Sequence, residues 1–97
     1  MRYIYADNAA STPVSEEAMR VFMAAMADVY GNPSSLHMAG QKALALLSEA
    51  RENIAGCMNA NPGEIFFTSG GSEADNQAIL TAAHYGERAG KRHAVST

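Results

Sequence analysis

The chain has 97 residues, 47% of them hydrophobic, with seven Lys and Arg against ten Asp and Glu for a formal net charge of −3. That length carries one small domain at most, and the acidic balance excludes a nucleic-acid surface, which needs clustered positive charge to displace counterions from phosphates. A single cysteine excludes an intrachain disulfide, and no apolar run approaches the roughly 18 residues of a membrane span, so the expectation is a soluble, cytoplasmic chain without a signal segment.

Tyr3-Ile4-Tyr5-Ala6 is a short β-prone stretch closed by the turn formers Asp7 and Asn8. Pro13 disfavours helix at Thr12, and Ser15 then suits an N-cap, with Glu16 and Glu17 where the helix dipole favours acids. Ala18, Val21, Phe22, Ala25, Met26 and Val29 follow a helical stripe, so the pattern predicts a helix from Ser15 to about Asp28, with Gly31 as its stop. Tyr30 to His37 is dense in turn residues and reads as an ordered loop.

A second helix is expected from about Met38 to Met58. Ala43, Leu47, Ala50, Ile54 and Cys57 mark its buried stripe, leaving Lys42, Glu49, Arg51 and Glu52 mostly for solvent. Asn59-Ala60-Asn61-Pro62-Gly63 is a turn. Glu64-Ile65-Phe66-Phe67-Thr68 reads as a buried strand, and Ser69-Gly70-Gly71-Ser72 leads into a third helix that Gly90 ends. His93 to Thr97 reads as another strand. Strand, helix, strand is the unit of a parallel sheet, so the expected fold class is α/β, incomplete as a domain.

The segment Phe67 to Asn76 carries the strongest chemical signal. Small residues before a helix N-terminus let a ligand approach the backbone, where the first N–H groups are unpaired donors for an anion such as phosphate. The Ser72 hydroxyl would add a donor. The alternative is a simple helix cap, with Ser72 and Asp75 at capping-box spacing; spacing alone favours the cap, and the two readings can coexist. No G-x-x-x-x-G-K-[ST] or G-x-G-x-x-G supports a nucleoside triphosphate or a dinucleotide. His37, His84 and His93 lack chelating spacing, so no metal site is expected.

Tyr5-Ala6-Asp7-Asn8-Ala9-Ala10-Ser11-Thr12-Pro13, Tyr30-Gly31-Asn32-Pro33-Ser34-Ser35-Leu36-His37 and Phe67 to Asn76 together resemble cysteine desulfurases of the NifS/IscS type, in that family's order and at about its spacing. The resemblance implies the N-terminal portion of a fold-type I pyridoxal 5'-phosphate (PLP) transferase. Residues 1–13 would begin its small domain, and residues 14–97 would form the first part of the PLP-binding large domain. It implies removal of sulfur from L-cysteine, leaving L-alanine and an enzyme persulfide for iron–sulfur cluster assembly.

By the same resemblance, the PLP phosphate is held at Gly71, through its backbone N–H, and at Ser72, through backbone and hydroxyl. That makes phosphate binding the favoured reading of the turn. Many relatives carry threonine where this chain has Ser72, a change that keeps the hydroxyl. Asn8 and His37 become candidates for residues close to substrate, against readings as an Asx-turn residue and a structural loop histidine.

The resemblance places the remaining chemistry beyond Thr97. There lie the lysine that carries PLP, the acid facing its pyridinium nitrogen and a histidine stacked on its ring, then the substrate arginine and the sulfur-accepting cysteine. Lys42 and Lys91 read as solvated helix charges and Cys57 as structural, so no catalytic residue is expected here and the chain alone should be inactive. The implied partners are the remainder of the polypeptide, a second copy in a homodimer, and an iron–sulfur scaffold or other sulfur-acceptor protein. A selenocysteine lyase, another class V aminotransferase, or a non-catalytic binding module are the alternatives.

Overall fold

The computed structural model describes residues 1–95. Helix α1 spans Glu16–Asp28, α2 spans Met38–Met58 and α3 spans Gly71–Arg88, with a single 3₁₀ turn at Pro62–Glu64. Each helix begins and ends for a local reason. At α1 the Ser15 hydroxyl accepts from the Ala18 N–H at 3.2 Å, and Glu16 and Glu17 occupy the positive end of the dipole. At α2 the His37 Nδ1 accepts from the Gly40 N–H at 3.3 Å.

Asn59, at φ 52°, stops α2 in the left-handed region that a short polar side chain tolerates. Gly90, at φ 72°, follows α3, and the Lys91 N–H returns to the Gly86 carbonyl at 2.8 Å.

The Tyr30–His37 loop is ordered by its own polar groups. Asn32 accepts the Ser34 N–H on Oδ1 and the Ser35 N–H on its carbonyl, both at 2.9 Å. Gly40 closes the loop onto α2: a Cβ there would stand 2.3 Å from the Ser35 carbonyl oxygen.

Packing is confined to one seam. Ala43 and Ala55 are the buried apolar residues, joined by Gly40, and α2 against Pro62–Glu64 is the one pair of elements in contact among the described residues. The radius of gyration is 18.7 Å, where a compact chain of this length has about 13 Å. Accessible surface is 8977 Å², against about 5400 Å² for a compact protein of this mass. The helical stripes are therefore formed but uncovered: Phe22 is 58% and Met26 65% exposed on α1.

The α/β expectation is overturned. No strand occurs among the described residues: Tyr3–Ala6, residues 65–68 and residues 93–95 are all irregular, while residues 96 and 97 of the last expected strand lie outside the described residues. Strand character in a sequence states that side chains suit a pleated surface, but a ladder exists only when a second extended segment satisfies the backbone N–H and C=O groups. No segment does so here, and Phe66, expected inside a buried strand, is 70% exposed. Three residues also leave their expected places. Ile54 and Cys57 are exposed rather than on a buried stripe, and Arg51 is half-buried rather than left to solvent.

Candidate functional site

The turn at the start of α3 is built from Thr68 to Ala74. The Thr68 hydroxyl donates to the Gly70 carbonyl at 3.1 Å, and the first helical bond runs from the Ala74 N–H to that same carbonyl at 3.2 Å. Ahead of it, the N–H groups of Gly71, Ser72 and Glu73 have no intrahelical acceptor. Gly70 is extended, and neither Gly70 nor Gly71 has an atom within 4 Å of where a Cβ would stand. The backbone is open to a ligand on this side.

The side-chain contact that forms at this helix start pairs Glu73 with Ser69 rather than Ser72 with Asp75. Glu73 reaches back and accepts from both the Ser69 N–H, at 2.8 Å, and the Ser69 hydroxyl. These two donors, the hydroxyl first, hold the Glu73 carboxyl below the usual carboxylate range. The expected Ser72–Asp75 capping box does not form, because the N-cap is Gly70 and Ser72 already lies inside the first turn. The Ser72 hydroxyl has no hydrogen-bond partner among the described residues, so it stays available as a donor. The i, i+4 spacing of Ser69 and Glu73 was the signal for this arrangement.

These groups fit a phosphate. Three backbone N–H donors, one hydroxyl donor and the positive end of an 18-residue helix lie at a turn where Gly70 and Gly71 present no Cβ. The one carboxylate in the first turn, Glu73, is bonded back to Ser69 and keeps its negative charge, which works against an anion at this turn.

The other candidates stand apart from this turn. Asn8 lies in a turn closed by the Asp7 carbonyl, which accepts the Ala10 N–H at 3.1 Å and the Ser11 N–H at 3.3 Å. Tyr5 braces it, its hydroxyl donating to the Asp7 carbonyl at 3.0 Å and pairing with Ser11 Oγ at 2.8 Å. The turn thus rests on main-chain groups rather than on an Asx bond from Asn8. His37 caps α2. Among the described residues, no hydrogen bond links Asn8 or His37 to the Gly71–Ser72 turn, and no group of His, Cys, Asp and Glu is placed to hold a metal.

Arg51 reaches the segment that leads into the turn. Its Nε donates to the Ile65 carbonyl at 3.3 Å, and its guanidinium lies 5.2 Å from the centre of the Phe67 ring. Sequence reading gave it to solvent because its partners lie 14 and 16 residues away.

Comparison with known proteins adds the following. The aminotransferase class-V family matches residues 4–97. The chain is 45% identical over 94 residues to a NifS protein of Bacillus subtilis, covering 97% of this chain and 24% of that protein. It is 41% identical over 97 residues to a cysteine desulfurase of Trichormus azollae, covering all of this chain and 24% of the relative. A selenocysteine lyase of Bos taurus is 41% identical over 84 residues, 87% of this chain and 19% of its own length. The chain therefore spans about a quarter of the length of the curated relatives it matches. No solved structure matches it.

Proposed function

Because this chain belongs to the class-V aminotransferase family, as a member of NifS/IscS type, we propose that it is the N-terminal part of a PLP-dependent cysteine desulfurase and supplies the phosphate anchor of the cofactor. The observation that carries the reading is the α3 turn, where uncapped donors meet a backbone without obstructing side chains. The N–H groups of Gly71 and Ser72 and the Ser72 hydroxyl would hold the phosphate oxygens, and the α3 dipole would offset part of their charge. PLP, when bound, supplies the electron sink for chemistry at the substrate α-carbon.

On this reading residues 1–13 begin the small domain and residues 14–97 belong to the large, PLP-binding one. The whole protein converts L-cysteine to L-alanine and passes a persulfide to an iron–sulfur scaffold or other acceptor, as a cytoplasmic homodimer. Among the described residues no helix is long and apolar enough to cross a membrane. Lys42 is an exposed helix charge and supplies no cofactor lysine. The chain itself anchors and orients, and the reacting groups lie outside it. The likeness to a selenocysteine lyase favours one second reading, the same anchor serving a selenium substrate.

The test compares PLP with pyridoxal, which lacks the phosphate, in binding to the full-length natural protein that carries this sequence. A marked preference for PLP, with alanine formed from cysteine, is expected. Equal binding of the two overturns the anchor. Alanine formed by the purified 97-residue chain and PLP alone overturns its non-catalytic role.

A further inference from the structure

We infer that His37 is an acid-sensitive latch between the Tyr30–His37 loop and the start of α2. It stands at the joint of the two. Its backbone is extended, at φ −77° and ψ 166°, and its carbonyl accepts the Gln41 N–H at 3.0 Å as the first helical bond. Its ring Nδ1 accepts the Gly40 N–H at 3.3 Å. Helices more often start on Ser, Thr, Asp or Asn, as α1 does on Ser15, and a hydroxyl or amide oxygen remains an acceptor throughout the neutral range. An imidazole accepts only while one ring nitrogen is unprotonated. Protonated His37 has two donors, no acceptor, and a positive charge at the positive end of the α2 dipole.

The Gly40 N–H is the group that would lose its partner. Gly40 is buried, and fits so closely under the loop that a Cβ there would stand 2.7 Å from the Asn32 carbonyl oxygen. An unpaired donor at a buried residue is costly, so protonation of His37 favours lifting of the loop until water reaches Gly40. Among the described residues no carboxylate holds the imidazolium in place. The first turn of α2 contains no acid, and Asp28 and Lys42, which line the neighbouring cleft with Gly31 and Met38, form no ion pair with His37. The bonds of the latch all lie within residues 32–41, so it is assembled from this segment alone.

The experiment reads hydrogen–deuterium exchange of the Gly40 amide in the full-length natural protein that carries this sequence, as protection factors corrected for the intrinsic pH dependence of exchange. The wild type is expected to lose protection about tenfold between about pH 7.5 and about pH 5. His37→Asn keeps an acceptor that does not titrate, so its protection should stay level over the same range, and His37→Ala should be low at both ends. Equal wild-type protection at the two pH values overturns the inference. So does an equal fall in His37→Asn, which would put the titrating group elsewhere. Ring-nitrogen NMR of the wild type supplies a test that needs no variant: the proton of neutral His37 is expected on Nε2, and finding it on Nδ1 overturns the latch.

Discussion

Gly31 lies directly against Ala39: a Cβ on Gly31 would stand 2.2 Å from the Ala39 carbonyl oxygen and 2.4 Å from its carbonyl carbon. The obstruction is helix backbone, which cannot rotate away as a side-chain end could. The residue that sequence reading treats as a helix stop is in fact the contact that brings the loop onto the first turn of α2. Gly31→Ala is therefore expected to destabilise the protein by about 1–3 kcal/mol, the usual cost of overpacking. Gly56 supplies the comparison, since it lies inside α2 with nothing within 4 Å of a Cβ. Gly56→Ala should stabilise by about 0.5–1 kcal/mol through helix propensity. Urea unfolding midpoints of the two variants should move in opposite directions.

Ser69 and Glu73 are bonded at the start of α3, and their bond carries a pH dependence. The Glu73 carboxyl is held low by the Ser69 hydroxyl and N–H. A carboxyl depressed in the folded state contributes stability that is fully present above its unfolded pKa and is lost as pH falls through the folded one. Ser69→Ala should raise the Glu73 pKa toward the ordinary carboxylate range. Carboxyl-carbon NMR titration reads this directly, and an unchanged Glu73 titration would contradict the Ser69–Glu73 bond.

The Ser72 hydroxyl has no hydrogen-bond partner among the described residues, and on the proposed reading it donates to the phosphate. Ser72→Ala should weaken PLP binding roughly tenfold and leave pyridoxal binding unaltered, the scale of one hydrogen bond to a charged acceptor. Ser72→Thr should retain wild-type affinity because the hydroxyl survives. Fluorescence or absorbance titration separates these outcomes, and equal affinities for Ser72→Ala and wild type would remove the hydroxyl from the site.

Cys57 is exposed on the last turn of α2. It should react with a thiol reagent in the native 97-residue chain at the rate of an open cysteine. Cys57→Ser should shift stability by less than about 0.5 kcal/mol, as surface substitutions do. Slow native labelling that speeds up in denaturant would place the thiol in a protected setting instead.

The parts legible in the sequence share one property, short range. Ser15 as the cap of α1, the span Met38–Met58 and the stop at Gly90 are each decided by groups within a few residues, so the code for them is local. The position of Gly71 and Ser72 at a helix start was legible for the same reason. Which residue caps that helix was not: the N-cap is Gly70 rather than Ser72, because the first helical bond runs from the Ala74 N–H to the Gly70 carbonyl.

Sequence by itself determined the three helices, the place of Gly71 and Ser72 at a helix start, and the family. Tertiary structure decided what the apolar segments do. Ile65, Phe66 and Phe67 have the composition of a strand, but strand formation needs a distant partner for every second backbone group, and among the described residues none is supplied. Arg51 and Gly31 gain their roles in the same way, through the Ile65 carbonyl and the Ala39 carbonyl. Helices close their hydrogen bonds within four residues and so can be read locally; contacts between elements are settled only when the chain folds back and brings a second surface within reach.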